Sequence, residues 1–211
     1  MRNLTEFTYG INDYERYWNA RMSSGDVAQT GIHRRISELV REHVPAGSRV
    51  LDCGVGPGIY YRDLLADYDM HGIEFSEEAI DLYDFDRSHI VSFDLNDGLP
   101  IFEGSFEGIV ASMIVHHLDD PRIFLNAAYG LLKPGGVLLI VHPNLVYFKH
   151  RLRLAAGQFP RYSTSHRNFI VPHALTAMIR ESGFSVRRIT SKKRKWFPTL
   201  FAHELFFVCE R

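Results

Sequence analysis

The feature that most constrains this chain is an alternation: short apolar runs of strand character are separated by helical stretches throughout residues 28–142. Ile32, Ile36, Leu39 and Val40 recur at helical spacing until Pro45, Ala46 and Gly47 break the pattern, which predicts a helix from Ala28 to His43. Arg49 to Cys53 predicts a first strand, closed by a glycine-rich turn and followed by a helix over Ile59 to Ala66. Met70 to Glu74 predicts a second strand. Ser76 is placed to cap the next helix, with Glu77 and Glu78 at the positive end of its dipole. Ile90 to Asp94 predicts a third strand, and Gly108 to Val115 a fourth, apolar enough to be covered on both faces. Asp120 and Pro121 open a helix that Lys133 to Gly136 stops before a fifth strand, Val137 to His142.

Strands that alternate with helices imply a parallel sheet with right-handed crossovers, so the expected fold class is α/β, doubly wound, with helices on both faces. Beyond His142 the pattern loosens. A basic amphipathic stretch, Leu145 to Ala156, leads into a polar loop, Gly157 to Val171, and then a helix opened by Pro172 and ended by Gly183. Phe184 to Ile189 and Glu204 to Cys209 predict two further strands. At 211 residues the chain is expected to form one domain, with residues 1–30 as an N-terminal cap and residues 144–171 as an insertion on the substrate side.

Composition narrows the partners. With 45% hydrophobic and 23% charged residues the chain is neither disordered nor fibrous, and a net charge of -1 gives no global field to recruit nucleic acid or an anionic membrane. Cys53 and Cys209 have no metal or redox spacing and no disulfide framework, which fits a reducing compartment. No apolar run approaches the roughly 18 residues of a membrane span, so a cytoplasmic protein without membrane insertion is expected. The neutral total hides one basic segment, Arg187 to Lys195, where Arg187, Arg188, Lys192, Lys193, Arg194 and Lys195 leave an anionic partner open.

In open parallel sheets, ligands bind beyond the carboxyl ends of the strands where the strand order reverses. Three features fall at such ends. Asp52 closes the first strand and is followed by Gly54, Gly56 and Gly58, which let a ligand approach the backbone. The spacing departs from a dinucleotide fingerprint, because Ile59 stands where the third glycine would be, and no phosphate-binding loop motif is present. Glu74 closes the second strand, 22 residues after Asp52, where an acid can accept from ribose hydroxyls. Asp94 ends the third strand, placed to accept from an adenine amino group. Together they point to a nucleoside ligand that needs no phosphate.

These motifs resemble the class I S-adenosylmethionine-dependent methyltransferases, particularly the group that acts on small molecules. VLDCGVGPG is similar to their first motif, GIEFS to their acidic second-strand end, and LPIFEGSFEGIVASMIVHHLDDP followed by LLKPGGVLLI to their fourth- and fifth-strand motifs. The resemblance implies a seven-stranded sheet whose last strand is antiparallel. It implies S-adenosylmethionine as cofactor and S-adenosylhomocysteine as product. It places Asp52, Gly54, Gly56 and Gly58 along the methionine part, Glu74 and Phe75 at the ribose, Asp94 and Leu95 at the adenine, and Ser112 and Met113 beneath the ligand. Cys53 and Val55 depart from the frequent Leu and Cys without adding bulk.

Near the N-terminus, Tyr9, Tyr14, Tyr17 and Trp18 cluster with Arg21. Trp18 and Arg21 share a helical face, where a ring and a guanidinium suit the sulfonium and carboxylate of that cofactor, although the same rings would also pack a helix on the sheet. His116 and His117 follow the fourth strand. On an extended segment neighbours point opposite ways, so one of the pair, His117, is expected to reach the cofactor or substrate. His142, closing the fifth strand, is a second candidate base, a base being optional when the methyl donor is already activated. No H-E-x-x-H spacing supports a metal. The absence of an N-P-P-Y motif, with SMIVHH in its place, argues against a nucleic-acid base as acceptor and for a small molecule. The basic residues Lys149, His150, Arg151, Arg153, Arg161, His166 and Arg167 either hold an anionic group of that molecule or form a solvated face. Two rivals remain: a non-catalytic S-adenosylmethionine-binding regulatory or partner protein, and a nicotinamide-dependent oxidoreductase, which Ile59 and Asp94 disfavour.

Overall fold

The computed structural model describes residues 31–81, 83–159, 166–192 and 196–211. The expected cap over residues 1–30, with Trp18 and Arg21, lies outside them, as do residues 160–165 and Lys193, Arg194 and Lys195. The described chain runs α1 (Gly31–His43), β1 (Arg49–Cys53), α2 (Ile59–Leu64), β2 (Asp69–Glu74), α3 (Glu77–Asp81), β3 (Ile90–Ser92), β4 (Phe106–Ser112), α4 (Pro121–Leu131), β5 (Leu132–Pro143), α5 (Phe148–Ala155), α6 (Pro172–Glu181), β6 (Ser185–Thr190), α7 (Pro198–Phe201) and β7 (Glu204–Glu210). No helix among the described residues is long and apolar enough to cross a membrane.

The strands form one seven-stranded sheet in the order β3-β2-β1-β4-β5-β7-β6. β1 pairs in parallel with both β2 and β4, β2 with β3, and β4 with β5. β7 runs antiparallel between β5 and β6, as the family resemblance implied. The order reverses between β1 and β4, so the crevice beyond their carboxyl ends is the switch point where α/β sheets hold ligands.

Both faces are covered, which is why these strands read as near-continuous apolar runs. Alternate side chains feed two cores. Leu51, Ile109, Leu138, Ile140, Phe207 and Cys209 face Phe124, Leu125, Leu175 and Ile179 of α4 and α6. Val50, Val110, Leu139, Val141, Phe206 and Val208 face Ile36, Leu39, Val40, Tyr61 and Leu64 of α1 and α2. The caps form as expected: Ser76 Oγ accepts from the Ala79 amide at 3.2 Å, and Asp120 Oδ1 from the Arg122 amide at 3.0 Å.

Among the differences from expectation, three strand boundaries have a backbone reason. β3 stops at Ser92, because Asp94 instead caps a 3-10 turn over Leu95–Asp97 and accepts from the Asn96 amide. β4 stops at Ser112, because Met113 takes a left-handed φ of 60° while its amide donates to the Val141 carbonyl at 2.9 Å. β5 begins at Leu132 rather than Val137: Phe106 pairs with Leu132 and Gly108 with Val137, so Lys133 to Gly136 bulge out of the ladder. Pro134 has no amide to donate there, and Gly135 adopts a φ of 77°. α7 was not expected at all; it is opened by Phe197 at a φ of 48°. The basic run is also less free than its composition implies, since Arg187 pairs with Glu210 and Arg188 with Glu42, at 2.8 and 2.9 Å.

Because Phe206 and Phe207 lie on opposite faces of β7 and are both fully buried, each holds a different core. Phe206→Ala and Phe207→Ala are expected to destabilise the fold by about 3–5 kcal/mol each, and nearly additively, as for sites that share no partners. Denaturant midpoints of the single and double variants check this; strong non-additivity would contradict two separately packed layers.

Candidate active site

The residues singled out at the strand ends do converge. Asp52 and Glu74 end neighbouring parallel strands, and Ser112 and Met113 end the strand on the other side of β1. The turn between β1 and α2 is fixed at both ends: the amides of Gly54 and Val55 donate to the Ile73 carbonyl at 2.8 and 3.1 Å, and the Gly58 amide to Val55 at 3.0 Å. Two glycines there are required on steric grounds. A Cβ on Gly54, at a φ of 80°, would lie 2.5 Å from Ile114, and one on Gly58, at a φ of 67°, would lie 2.7 Å from the Phe85 ring.

Glu74 is 2% exposed and draws the turn inward. Its Oε2 accepts from the Gly56 amide at 2.7 Å, and its Oε1 from the amides of Phe75 and Ser76 at 2.9 and 3.0 Å. Burial raises its pKa, and those three amides pull it back down. Asp52 is fully buried and far less satisfied. Tyr60 donates its hydroxyl to Oδ1, while Oδ2 is buried with no hydrogen-bond partner among the described residues. Burial pushes the Asp52 carboxyl up to about 8; the Tyr60 bond opposes the rise and the nearby Glu74 charge adds to it. Asp94 is half-buried, its Oδ1 committed to the amide and side chain of Asn96 at 2.9 Å each, and Leu95 is buried beside it. Met113, half-buried, carries one of the two non-glycine left-handed conformations among the described residues. Strain of this kind is concentrated at functional sites.

Tyr60 escaped sequence reasoning, as did the stack of Tyr61, Phe85 and Tyr83 beside the turn, with ring centroids 5.1 and 4.8 Å apart. Tyr83 also donates to the Gly56 carbonyl at 2.7 Å. No spacing signals such contacts; only the packing of α2 and the segment after α3 over the turn creates them.

The expectation for His116 and His117 needs correction. They do not alternate on an extended segment: they lie in a 3-10 turn, Val115–His117, with ring centroids 4.1 Å apart. His116 is 1% exposed, and neither ring nitrogen has a partner among the described residues. His142 is also buried. Its Nδ1 lies 2.7 Å from the Pro143 carbonyl and donates to it, which leaves Nε2 as an acceptor with no partner among the described residues. Burial lowers the His142 pKa to about 4, a weak base at neutral pH. The ring of His116 is 5.4 Å from that of His142 and 4.2 Å from that of His166, a residue that its position in a basic segment had not connected to this end of the sheet. Within that segment His150 is buried, Arg151 donates to the Val146 carbonyl at 2.8 Å, and Arg167 pairs with Asp119, so it is not simply a solvated cationic face.

The raised Asp52 carboxyl sets the sign of one pH effect. Its folded pKa, about 8, lies above the ordinary 3.8. Its contribution to stability is therefore fully present below 3.8 and is lost as the pH rises through about 8. Asp52→Asn keeps an acceptor for Tyr60 and removes the titration. The variant is expected to melt higher than the parent at pH 8, by at least the ~2–4 °C that corresponds to ~1 kcal/mol in a chain of this size, with the gap closing on acidification. Melting curves across pH check this; a gap that widens on acidification would contradict a neutral buried carboxyl.

A family model described as a methyltransferase domain matches residues 27–189. A Mycolicibacterium smegmatis protein with S-adenosylmethionine-dependent methyltransferase in its name is 28% identical over 178 residues, which is 82% of this chain and 61% of that protein's length. A ubiquinone biosynthesis O-methyltransferase of Xanthomonas axonopodis is 24% identical over 191 residues, 83% of this chain and 78% of that one. Among solved structures, the [4+2]-cyclase SpnF superposes with a TM-score of 0.63 at 18% identity, covering 84% of this chain and 80% of its own. That last likeness concerns the fold alone. The family match spans the glycine turn, both buried acids and the histidine turn, and with it the chain belongs to the S-adenosylmethionine-dependent methyltransferase family.

Proposed function

We propose that this chain transfers a methyl group from S-adenosylmethionine to a hydroxyl of a small-molecule acceptor. The observation that carries the reading is Asp52 Oδ2: a fully buried carboxyl oxygen at the switch point, beside a second buried acid, with no donor among the described residues to answer it. Such a group calls for a cationic or hydrogen-bond-donating ligand. When bound, the cofactor supplies an activated methyl on a sulfonium, transferred in line to the acceptor as the carbon–sulfur bond breaks and S-adenosylhomocysteine is left.

The chain's residues bind and orient. Asp52 accepts from the ammonium of the methionine part, while Gly54, Gly56 and Gly58 let that part lie against backbone. Glu74 has about four acceptor sites and already serves three amides, so it takes one ribose hydroxyl beside Phe75 rather than two. Asp94, through its remaining oxygen, and Leu95 take the adenine, with Ser112 and Met113 beneath the nucleoside. Trp18 and Arg21 complete the site from a cap over residues 1–30, and residues 144–171 shape the acceptor pocket, the whole chain 1–211 acting as one domain. His117 and His142 face the acceptor side, His142 as a neutral acceptor rather than a strong base. A hydroxyl acceptor is favoured by the O-methyltransferase named among the relatives. Cofactor binding without methyl transfer is the second reading, since the same fold is also the scaffold of a [4+2]-cyclase and does not by itself fix the chemistry.

Calorimetric titration is expected to show one S-adenosylmethionine bound per chain and no binding of NADH. Asp52→Ala and Glu74→Ala are each expected to weaken that binding about 10- to 100-fold, the worth of a buried charged hydrogen bond, with the far-UV spectrum unchanged. Unaltered affinity in both variants would refute the site. S-adenosylhomocysteine formed on a panel of small hydroxylated acceptors tests transfer itself; persistent absence with intact binding would favour the second reading.

A further inference from the structure

The histidines beyond β4 are more concentrated than methyl transfer requires. His116, His117 and His166 bring their ring nitrogens within 4.8 Å of one another. Chain folding holds them there. The amides of Arg167 and Asn168 both donate to the His116 carbonyl at 3.0 Å, the Asn168 side chain donates to Leu118, and Arg167 pairs with Asp119. The His166 segment is thus pinned to the histidine turn by backbone bonds that place its ring over the pair. A small cleft opens at the cluster, between His116, His142, His166 and Phe169.

We infer that His116, His117 and His166 form a binding site for a divalent transition-metal ion of the zinc class, with an open position that takes the acceptor oxygen. Three observations support it. The ligand atoms need to close only from within 4.8 Å to the roughly 3.4 Å edge of a tetrahedron with metal–nitrogen bonds of about 2.05 Å. The donors are all imidazoles, a set that suits zinc, copper, iron or nickel and not the oxygen-seeking magnesium or calcium. Finally, His116 is buried with both nitrogens unanswered among the described residues. Three protein ligands with a vacant fourth position is the pattern of catalytic rather than structural zinc. There the metal would bind the acceptor hydroxyl and lower its pKa, the proton leaving to bulk water through the cleft and the oxygen remaining coordinated as an anion. No electron is transferred, so a redox-inert ion suffices, and the weak base His142 need not take the proton. His142 Nε2 is left to accept a hydrogen bond from a second water or acceptor group. A second trio, Asp69, His71 and His89, is a poorer site, because the Arg49 guanidinium lies 3.2 Å from His71 and 3.3 Å from Asp69.

The occupant of the open position rests on the methyl-transfer reading; metal binding does not. The test is therefore titration of the chelator-treated full chain with Zn²⁺, Co²⁺ and Mg²⁺, alongside a separate S-adenosylmethionine titration. One Zn²⁺ per chain is expected, with Co²⁺ giving a visible band of low-symmetry nitrogen coordination and Mg²⁺ not competing. His166→Ala and His117→Asn are each expected to weaken Zn²⁺ binding by more than the ~10–100-fold that loss of a mere supporting group costs, with S-adenosylmethionine binding retained in His166→Ala, while His89→Ala leaves the metal bound. Absence of Zn²⁺ and Co²⁺ binding, or binding abolished by His89→Ala and indifferent to His166→Ala, would overturn the site, whatever the cofactor titration shows.

Discussion

Glu74 is the point from which the rest of this molecule is organised. Its carboxylate joins three amides that belong to two different crossovers: Gly56 in the turn after β1, and Phe75 and Ser76 at the start of the segment leading to α3. Hydrogen bonds to a charged group contribute about 1.5–3 kcal/mol each, and here they offset the cost of taking a carboxylate almost wholly out of water. Without Glu74 the amides of Gly56, Phe75 and Ser76 would lose this acceptor, and the glycine turn would be held to β2 only by the Gly54 and Val55 amides on the Ile73 carbonyl. The turn sets the height of the floor at the switch point, and β1 and β4 set its width.

Asp52, one strand away, is built to the opposite plan. Among the described residues it has a single donor, the Tyr60 hydroxyl, and an oxygen with none. The same burial that Glu74 offsets with backbone amides is left uncompensated in Asp52, and its carboxyl consequently favours the protonated form. Two acids that look equivalent along the chain therefore have different tasks. The satisfied one holds the architecture; the other keeps a buried oxygen unanswered among the described residues, at a cost in stability.

The alternating pattern of apolar runs and capped helices was sufficient to read the sheet, because strands covered on both faces and helices with Asp120–Pro121 or Ser76 starts carry their signals locally. The strand-end acids and the glycine spacing were legible for the same reason: each lies within a few residues of the element that positions it. What was not legible depends on contacts between distant segments. GIVASMIV reads as one strand, yet the Met113 amide reaches the Val141 carbonyl and the chain turns there. Tyr60 meets Asp52 only once α2 lies across β1, and His166 meets His116 only through bonds from Arg167 and Asn168 to its carbonyl. The bulge at Lys133 to Gly136 combines both cases. Its Pro134 and Gly135 announce a break, but whether the break ends the strand or interrupts it is decided by Phe106 pairing with Leu132 across the sheet.

Charge along this chain is arranged by neighbourhood, not by total. The glycine turn is flanked by two buried carboxyls, whereas the turn after β4 gathers imidazoles that burial holds neutral. At the far edge Arg187 and Arg188 are matched by Glu210 and Glu42 and so present less positive charge than their number implies. Each arrangement limits what can sit beside it. Carboxyls short of donors favour a ligand that is cationic or rich in hydroxyls and amines. Uncharged imidazoles offer lone pairs, which protonated ones would not. The crevice at the switch point can therefore place a positively charged donor and an electron-rich acceptor side by side, because the charges of the site were separated when β1 and β4 were set next to each other in the sheet.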